Sequence, residues 1–316
     1  MTLTTAGLQA VQRDITQTFR AEAQAANPLY PSLCTIVKST SLDEKYGWMG
    51  DVPGMKEWLG ERAFKQLRAA NYTITNKHWE QSLGFERTVV DDDRLNSIKP
   101  AFGQLAQEAT YHPDELLFET MHINGESTAC FDGQFFYDTD HVWGDSGTQS
   151  NDLGASATSA TDPTTAEFKT AFHAALVAML GFKNDQGKFM VRPRAGRLGN
   201  LVCIVPISML EAATATFEQT IALEGGAGTS NFVLDRPTVI GVPHVGSGVT
   251  GGSDAKFYLH YLGGLMKPFI FQARQPLRFQ VKGVTDIEKK EIQAMTEARY
   301  NLGYGAWWYS VLTTFS

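Results

Sequence analysis

Charge is scarce in this chain, and its balance argues against a nucleic-acid-binding protein. Only 19% of the 316 residues are charged, whereas about 25% is usual in soluble proteins. The 27 lysines and arginines are outnumbered by 34 aspartates and glutamates, which gives a formal net charge of −7. An acidic chain lacks the basic field through which proteins hold DNA by counterion release. We therefore expect no sequence-specific binding of nucleic acid.

Long hydrophobic runs and targeting signals are missing as well. The apolar stretches, such as Leu201–Pro206, all fall far short of the roughly 20 residues that a membrane-spanning helix needs. The first residues show neither the basic region nor the apolar core of a signal peptide. These absences predict a protein that is made and kept in a cytoplasm, with no membrane partner. The 43% of hydrophobic residues nevertheless suffice for a core, which excludes disorder throughout.

Cysteine is the scarcest reactive residue, present only at positions 34, 130 and 203. An odd number at wide spacing gives neither a disulfide framework nor a paired metal motif, so we expect three reduced, buried thiols. The sequence has no phosphate-binding loop, no HExxH zinc motif and no GxSxG nucleophile motif. Gly246–Gly251 formally matches GxGxxG, but a strand-like segment follows it where a dinucleotide site needs a helix. The match therefore predicts a plain glycine turn.

One short region carries residues that are capable of chemistry. Asp138, Asp140 and His141 could ligate a metal, although a turn held by aspartate side chains is the better interpretation. Cys130 and His141 could form a nucleophile–base pair, but the sequence supplies no orienting group and no oxyanion hole. The three carboxylates of Asp91–Asp93 predict a solvated acidic turn or a helix-start cluster rather than a cation site. We therefore expect no enzyme, no metal site and no cofactor.

The hydrophobic pattern mixes helices and strands without the βαβ alternation of parallel-sheet enzymes, which predicts the α+β class. Helices are predicted over 5–26, 97–124 and 162–181, and strands over 201–205, 238–242 and 256–261. Pro113 predicts a kink in the second helix or two helices that abut there. Asn71–Val90 reads as a hairpin. Thr285 or Asp286 is expected to cap a helix that carries Ile292, Met295 and Leu302.

The stretch from Lys45 to Arg62 has no clear period. Glycines and prolines interrupt it repeatedly, yet it contains Trp48, Met55 and Trp58, which are costly to leave in water. A long irregular segment rich in aromatics usually serves function or interaction. We expect it to contact a partner, with folding back onto its own domain as the alternative.

The same stretch resembles a known family. The run Gly50–Arg62, GDVPGMKEWLGER, looks like the hallmark of the Mu-like phage major head subunit family. Further matches to that family follow in order along the chain: Tyr72–Lys77 with Trp79 and Glu80, Asp92 with Asp93, His112–Leu116, Asp132–Phe136 and Asp138–His141. The strand Leu201–Pro206 followed by a helix is similar to a step common in tailed-phage capsid proteins. The resemblance covers nearly the whole chain.

This resemblance implies the HK97-type capsid fold. It implies an N-terminal arm over residues 1–40, an extended loop over 41–90 and an axial domain over 137–266. The peripheral domain would comprise 91–136 and 267–316, with a spine helix over about 97–124. The implied function is that of the major capsid protein of a tailed phage or prophage, whose pentamers and hexamers form an icosahedral shell around double-stranded DNA. The alternatives are another shell or virion subunit, either encapsulin-like or a tail protein, and thirdly a cytoplasmic enzyme using Cys130 and His141.

The functional residues are then expected to be contact residues. Candidates for a subunit interface come from the loop and from one face of the first helix: Trp48, Met55, Trp58, Leu59, Glu61, Arg62, Lys65, Leu8, Val11, Ile15 and Phe19. Glycines allow close approach of backbones, and those expected at an axial tip are Gly225, Gly226, Gly228, Gly246, Gly248 and Gly251.

The resemblance also implies partners and a location. Besides copies of itself, the chain would meet a portal protein and possible decoration proteins. No long charged N-terminal extension is present, which predicts a separate scaffold. A separate head protease is expected as a further partner. The protein would lie in the virion capsid after assembly in the bacterial host cytoplasm, enclosing DNA without sequence-specific binding.

Overall fold

The computed structural model describes residues 5–49, 69–86, 95–191, 198–218, 221–224, 227–230, 235–282 and 291–316. The helices are α1 (Thr5–Ala25), α2 (Tyr30–Leu33), α3 (Leu95–Glu115), α4 (Thr165–Gly181) and α5 (Leu210–Glu218). The strands are β1 (Cys34–Lys38), β2 (Asp43–Met49), β3 (Ala69–Thr75), β4 (Lys77–Glu86), β5 (Asp152–Ala155), β6 (Leu201–Val205), β7 (Ile221–Glu224), β8 (Ala227–Ser230), β9 (Thr238–Gly241), β10 (Lys256–Tyr261), β11 (Phe269–Lys282), β12 (Glu291–Tyr304) and β13 (Ser310–Phe315). This content confirms the predicted α+β class.

Two sheets organise the chain. A four-stranded sheet has the order β1-β11-β12-β4, in which β1 runs parallel to β11 and the other pairs are antiparallel. A five-stranded sheet has the order β5-β13-β10-β6-β9, and two-stranded ribbons are formed by β2 with β3 and by β7 with β8. None of the helices in the described ranges combines the length and hydropathy that crossing a membrane requires.

A long helical run lies beside the four-stranded sheet and confirms the helix predicted over 97–124. α3 continues into a π-helical turn, Leu116–His122, and a 3-10 turn, Ile123–Glu126. Pro113 is buried inside α3, so the helix continues through the proline. A proline removes one intrahelical hydrogen bond, and the bonding widens to the π pattern three residues later. We call the whole run Leu95–Glu126 the spine.

The N-terminal helix packs on the spine and on the far half of the four-stranded sheet. Phe19 of α1 stacks on Phe279 of β11, with 4.2 Å between ring centroids. Phe85 of β4 meets Phe102 of the spine edge-on at 5.5 Å. These contacts form a hydrophobic cluster separate from the main core, which fills the space around α4 and the five-stranded sheet. Burial of these aromatic side chains stabilises each by about 2–3 kcal/mol.

The predicted hairpin over Asn71–Val90 is wrong. β3 pairs with β2, and β4 pairs with β12, so the two strands enter different sheets. The reason lies at Asn76, which is buried between them. Its side-chain amide donates to the hydroxyl of Ser39 at 2.8 Å and to the carbonyl of Ser41 at 2.9 Å. These bonds tie the turn to the chain before β2 and keep β3 and β4 from pairing.

The predicted C-terminal helix is wrong as well. Residues 291–304 form β12, which pairs with β11 along one side and with β4 along the other. Thr285 and Asp286 lie outside the described residues. The side chains that β12 buries alternate along the strand and include Ala294, Thr296 and Ala298. Two-sided pairing therefore overrides the helical spacing of Ile292, Met295 and Leu302.

The last strand changes one expected domain boundary. β13 lies in the five-stranded sheet between β10 and β5, with elements expected of the axial domain. Its residues are almost completely buried, with Val311 and Leu312 at 0% exposure. Burial of successive side chains on both faces is typical of a central strand. The expectation that all of 267–316 belongs with the peripheral domain is therefore wrong for β13.

Candidate functional site

The spine holds the N-terminal arm through one carboxylate. Both oxygens of Asp114 accept backbone N–H groups, from Leu29 at 2.7 Å and from Tyr30 at 2.6 Å. These are donors at the start of the short helix α2, which no helical carbonyl can satisfy. Burial raises the pKa of Asp114, and the two N–H groups oppose that effect. Lys99 of the spine also pairs with Asp14 of α1 at 2.7 Å.

The apolar stripe of α1 packs inside the subunit. Val11, Ile15 and Phe19 are 9%, 0% and 4% exposed, in the cluster with Phe102 of the spine and Ile292 of β12. Side chains that are this deeply buried in their own chain have no area left for a neighbour. The assignment of these three residues to a subunit interface is therefore wrong for the conformation described. The side chain of Leu8 lies outside the described part of α1.

Most of the loop residues singled out above fall outside the described residues: Met55, Trp58, Leu59, Glu61, Arg62 and Lys65. Trp48 belongs to β2, where its backbone pairs with Ala70 of β3, and its side chain is not among those described. The β2–β3 ribbon flanks the segment 50–68 on both sides.

The ribbon is fixed to the four-stranded sheet at its base. The hydroxyl of Tyr46 donates to Gln272 at 2.8 Å, and the hydroxyl of Tyr72 accepts the N–H of Tyr304 at 3.1 Å. Gly303 lets Ile74 approach closely, because a Cβ at Gly303 would lie 2.3 Å from Ile74 Cδ1. The sheet thus determines the direction in which the ribbon leaves the domain.

The glycines proposed for an axial tip lie in two places. Gly225 and Gly226 fall outside the described residues, and Gly228 lies in β8 opposite Leu223. The turn with Gly246, Gly248 and Gly251 packs beside the end of the spine. Gly251 has φ +83°, and a Cβ there would lie 2.9 Å from Ile123 Cγ2. The strand β10, and no helix, follows this turn. This confirms the prediction that Gly246–Gly251 is a plain glycine turn.

Cys130, Asp132 and His141 form a buried hydrogen-bonded cluster. The Cys130 thiol donates to one oxygen of Asp132 at 2.9 Å, and His141 Nδ1 bonds the other at 2.8 Å. The imidazole stacks on Trp307 at 3.9 Å between ring centroids. Burial, followed by the charge of Asp132, raises the pKa of Cys130. A protonated thiol that donates to a carboxylate is a poor nucleophile, and the imidazole faces Asp132, so this geometry favours a structural role.

The thiol, carboxylate and imidazole are groups that zinc accepts, and their ligand atoms lie within 4.8 Å of one another. Each of the three is already engaged by another member of the cluster. The set Asp138, Asp140 and His141 is not brought together as ligands. Asp138 accepts the N–H groups of Phe135 and Thr139, at 3.1 and 2.7 Å, which confirms the aspartate-held turn.

A second buried network joins the spine to the five-stranded sheet, and no sequence motif marks it. His122 Nδ1–H donates to the carbonyl of Leu117 at 2.8 Å, which leaves its Nε2 to accept from His260 Nε2–H at 3.0 Å. His260 Nδ1 then accepts the hydroxyl of Ser310 at 3.0 Å, and Ser310 accepts that of Tyr137 at 2.8 Å. Each donor in this series of hydrogen bonds meets an acceptor only while both imidazoles are neutral.

Comparison with known proteins finds similarity to phage head subunits. Residues 8–164 match the family model of the Mu-like prophage major head subunit gpT. The Mu-like prophage FluMu major head subunit of Haemophilus influenzae is 38% identical over 115 residues, 36% of this chain and 37% of that protein. The major capsid protein of Escherichia phage Mu is 33% identical over 141 residues, 45% of this chain and 46% of that protein. The chain thus matches less than half the length of these two relatives.

Solved structures are similar to almost the entire chain. A chain of the bacteriophage JBD30 procapsid has a TM-score of 0.56 and 22% identity, with 98% of this chain and 76% of that chain covered. The mature capsid of bacteriophage PhiM1 gives 0.57 at 12% identity, with 92% and 88% covered. A virus-like particle from Pyrococcus furiosus gives 0.52 at 9% identity, with 95% and 98% covered. The chain has the HK97-type capsid fold, and its residues 8–164 are similar to the Mu-like prophage major head subunit family.

Proposed function

We propose that this protein is the major capsid subunit of a tailed bacteriophage or prophage. Its copies form the pentamers and hexamers of an icosahedral shell that encloses double-stranded DNA. The observation that carries the proposal is the match of residues 8–164 to the major head subunit family, within a chain that superposes over 98% of its length on a phage procapsid protein. The role is structural, and the buried thiol–carboxylate–imidazole cluster belongs to the fold.

The subunit offers different surfaces for contact with its copies. We propose that the segment between β2 and β3 lies on a neighbouring subunit, with Trp48, Met55, Trp58 and Leu59 as apolar anchors. Glu61, Arg62 and Lys65 would set the register at its rim. Rings need two unlike complementary faces on each subunit. The β7–β8 ribbon, with the glycines at 225, 226 and 228, and the turn with Gly246, Gly248 and Gly251 would approach copies around the axis.

The proposed domains follow the architecture. The arm covers 1–40 and the extended loop 41–90. The peripheral domain comprises 91–136 with β11 and β12, and the axial domain comprises 137–266 with β13 added. The sheet order supports this division, because β13 lies between β5 and β10.

We propose further partners from the same function. A separate scaffold and head protease act during assembly in the bacterial host cytoplasm, and a portal protein occupies one vertex. Decoration proteins bind the finished shell. The low net charge of −7 supports a shell that encloses DNA without sequence-specific contacts.

Electron cryomicroscopy of the expressed protein, alone and with a co-expressed scaffold, tests the proposal. We expect closed angular shells in which the subunits form five-fold and six-fold rings. Tubes would indicate a tail protein, and small cages filled with cargo would indicate an encapsulin-like compartment. A protein that stays monomeric in sedimentation, with a turnover lost in Cys130→Ser, would replace the capsid role by an enzymatic one.

A further inference from the structure

A cavity of about 180 Å³ lies between the spine and the four-stranded sheet. Ala109 and His112 line it from the spine, and Trp79, Leu277 and Tyr300 line it from the sheet. Leu277 contacts both hydrophobic clusters, so the cavity lies at their boundary. Protein interiors are otherwise closely packed, and a gap of this size holds one long side chain.

The wall of the cavity is aromatic and held in place. The indole N–H of Trp79 donates to the carbonyl of Tyr300 at 3.1 Å. His112 Nδ1 lies 2.6 Å from the Tyr300 hydroxyl, and its ring meets Trp79 edge-on at 4.5 Å. A fixed aromatic surface suits the methylene stem of lysine or arginine and attracts its cationic head.

Carboxylates surround this wall, and the Lys77 Nζ that lies 5.8 Å from the Trp79 ring centroid forms an ion pair with none of them. Glu80, Glu108, Glu115 and Glu297 all line the cavity. Among the described residues, no lysine or arginine forms an ion pair with any of the four. Glu297 lies 3.8 Å from His78. The pKa of Glu115 is raised by burial, and next by the charge of Glu108, so an incoming cation would relieve a repulsion that is already present.

We propose that this cavity binds a basic side chain of a second copy of the chain, supplied by that copy's segment Arg62–Arg68. This proposal rests on the capsid function proposed above. The segment carries Arg62, Lys65 and Arg68 at every third position, with no acidic residue between them. Its charge complements the carboxylates, and its long side chains fit the aromatic wall.

The ribbon indicates that the occupant comes from another copy. Thr75 accepts the side chain of Asn301, and Tyr72 bonds to Tyr304. Thr296 and Ala298 of β12 line the cavity. The contacts of β3 with β12 therefore lie farther from the cavity at Tyr72 than at Thr75. The described ends of the ribbon, Met49 and Ala69, pair with each other and therefore lie beyond Tyr304, on the side away from the chain's own cavity.

Charge reversal tests the contact. Glu108→Lys with Glu115→Lys should lower the fraction of subunits in shells at least about tenfold, because like charges then meet in the contact. Adding Arg62→Glu with Lys65→Glu to the same chain should restore assembly to within about twofold. The matched control, Glu211→Lys with Asp162→Lys, makes the same change in net charge at exposed positions away from the cavity and should assemble like wild type.

The outcomes separate this inference from the capsid proposal. If the wild type assembles and the Glu108/Glu115 variant assembles equally well, the proposed contact is wrong, but the capsid function is not affected. Rescue by Arg192→Glu with Arg194→Glu, without rescue at 62 and 65, overturns the choice of segment. A wild-type protein that forms no shells under any scaffold condition overturns both. Thermal unfolding of the unassembled variants shows whether each subunit is folded.

Crosslinking tests whether the partner is a second copy. The native Cys34, Cys130 and Cys203 are all buried, so an introduced thiol is the reactive one. A mixture of Glu115→Cys and size-tagged Lys65→Cys chains should give a tagged–untagged crosslink in shells treated with a short bifunctional reagent. Glu211→Cys in place of Glu115→Cys should give none. A crosslink that forms only within one chain carrying both substitutions would overturn the proposal.

Discussion

Single residues decide how firmly the arm is held, and Asp114 is the clearest case. Asp114→Asn keeps the shape of the side chain but replaces one acceptor by an amide that faces a backbone N–H group. The loss of a charge-assisted bond to a buried donor should reduce the free energy of unfolding by about 1–3 kcal/mol. Urea denaturation of the unassembled subunit measures the change, and limited proteolysis should release the arm earlier.

Asp162→Asn is the matched control for this change, because Asp162 is exposed. It should alter the free energy of unfolding by less than about 0.5 kcal/mol. Equal effects of the two substitutions would mean that the bonds from Leu29 and Tyr30 contribute nothing to holding the arm.

The paired imidazoles predict a pH dependence of stability. Burial lowers the pKa of His122 from 6.5 to about 4, and burial, followed by the neighbouring His122, also lowers the pKa of His260 well below 6.5. Between pH 4 and pH 6.5 the unfolded chain binds protons that the folded chain excludes. The free energy of unfolding is therefore highest above pH 6.5 and falls as the pH drops toward 4. His122 alone should lower the free energy of unfolding by about 3 kcal/mol at pH 4.

Denaturant titrations at several pH values measure this slope. His122→Gln lowers stability near pH 7 and should flatten the dependence between pH 4 and 6.5. His78→Gln, at a side chain that is 58% exposed, should leave the slope unchanged. A wild-type slope that matches that of His122→Gln would show that the pair is already protonated or solvated in the folded protein.

At the scale of elements, one glycine sets the docking of the ribbon on the sheet. A Cβ at Gly303 would lie 2.3 Å from Ile74 Cδ1, so Gly303→Ala should force β3 away from β12 and cost about 1–3 kcal/mol of unfolding free energy. Gly84→Ala is the control on the neighbouring strand, because the nearest atom to its Cβ is a side-chain oxygen of Glu291 at 4.0 Å.

A double-mutant cycle in chemical denaturation assigns the effect to this contact. Ile74→Ala creates the space that the added methyl group of Gly303→Ala needs, so the double variant should be more stable than the sum of the single changes allows, by at least about 1 kcal/mol. Strict additivity would place the strain of Gly303→Ala elsewhere in the sheet.

The elements that the sequence predicts well are those whose apolar spacing agrees with their packing. Leu8, Val11, Ile15 and Phe19 mark α1. The helix predicted over 162–181 is α4, which begins three residues later, at Thr165, after a capping box in which Thr164 and Glu167 bond each other's backbone. β12 is not predicted as a strand because its buried positions include Thr296 and Ala298, whose hydropathy does not differ clearly from that of exposed residues.

Candidate sites fail to emerge from sequence for a related reason. Cys130 and His141 attract notice by residue type, yet Asp132, which links them, stands out only as part of the family-like run Asp132–Phe136. His122 and His260 are 138 residues apart, and no local pattern relates them. Long-range pairing of strands brings such groups together, and that information is spread along the entire chain.

For the whole molecule, the proposed shell predicts that assembly and folding can be separated. Trp58→Ala removes a large apolar anchor from a segment expected to lie on a neighbouring subunit. Hot-spot tryptophans commonly contribute about 2–4 kcal/mol to an interface, and every subunit of a shell repeats the same contact. We therefore expect a subunit with the wild-type melting temperature that forms shells at a protein concentration at least about tenfold higher, as measured by light scattering and electron microscopy.

Leu265→Ala is the control for the loss of an exposed apolar side chain, because Leu265 is fully exposed in the described subunit. It should assemble at the wild-type concentration. A Trp58→Ala subunit with a lowered melting temperature would place this tryptophan in the core of its own chain. Normal assembly of Trp58→Ala would remove the anchor role. Because a shell multiplies one contact over all its copies, the concentration at which assembly begins reports that contact more sensitively than the stability of the subunit does.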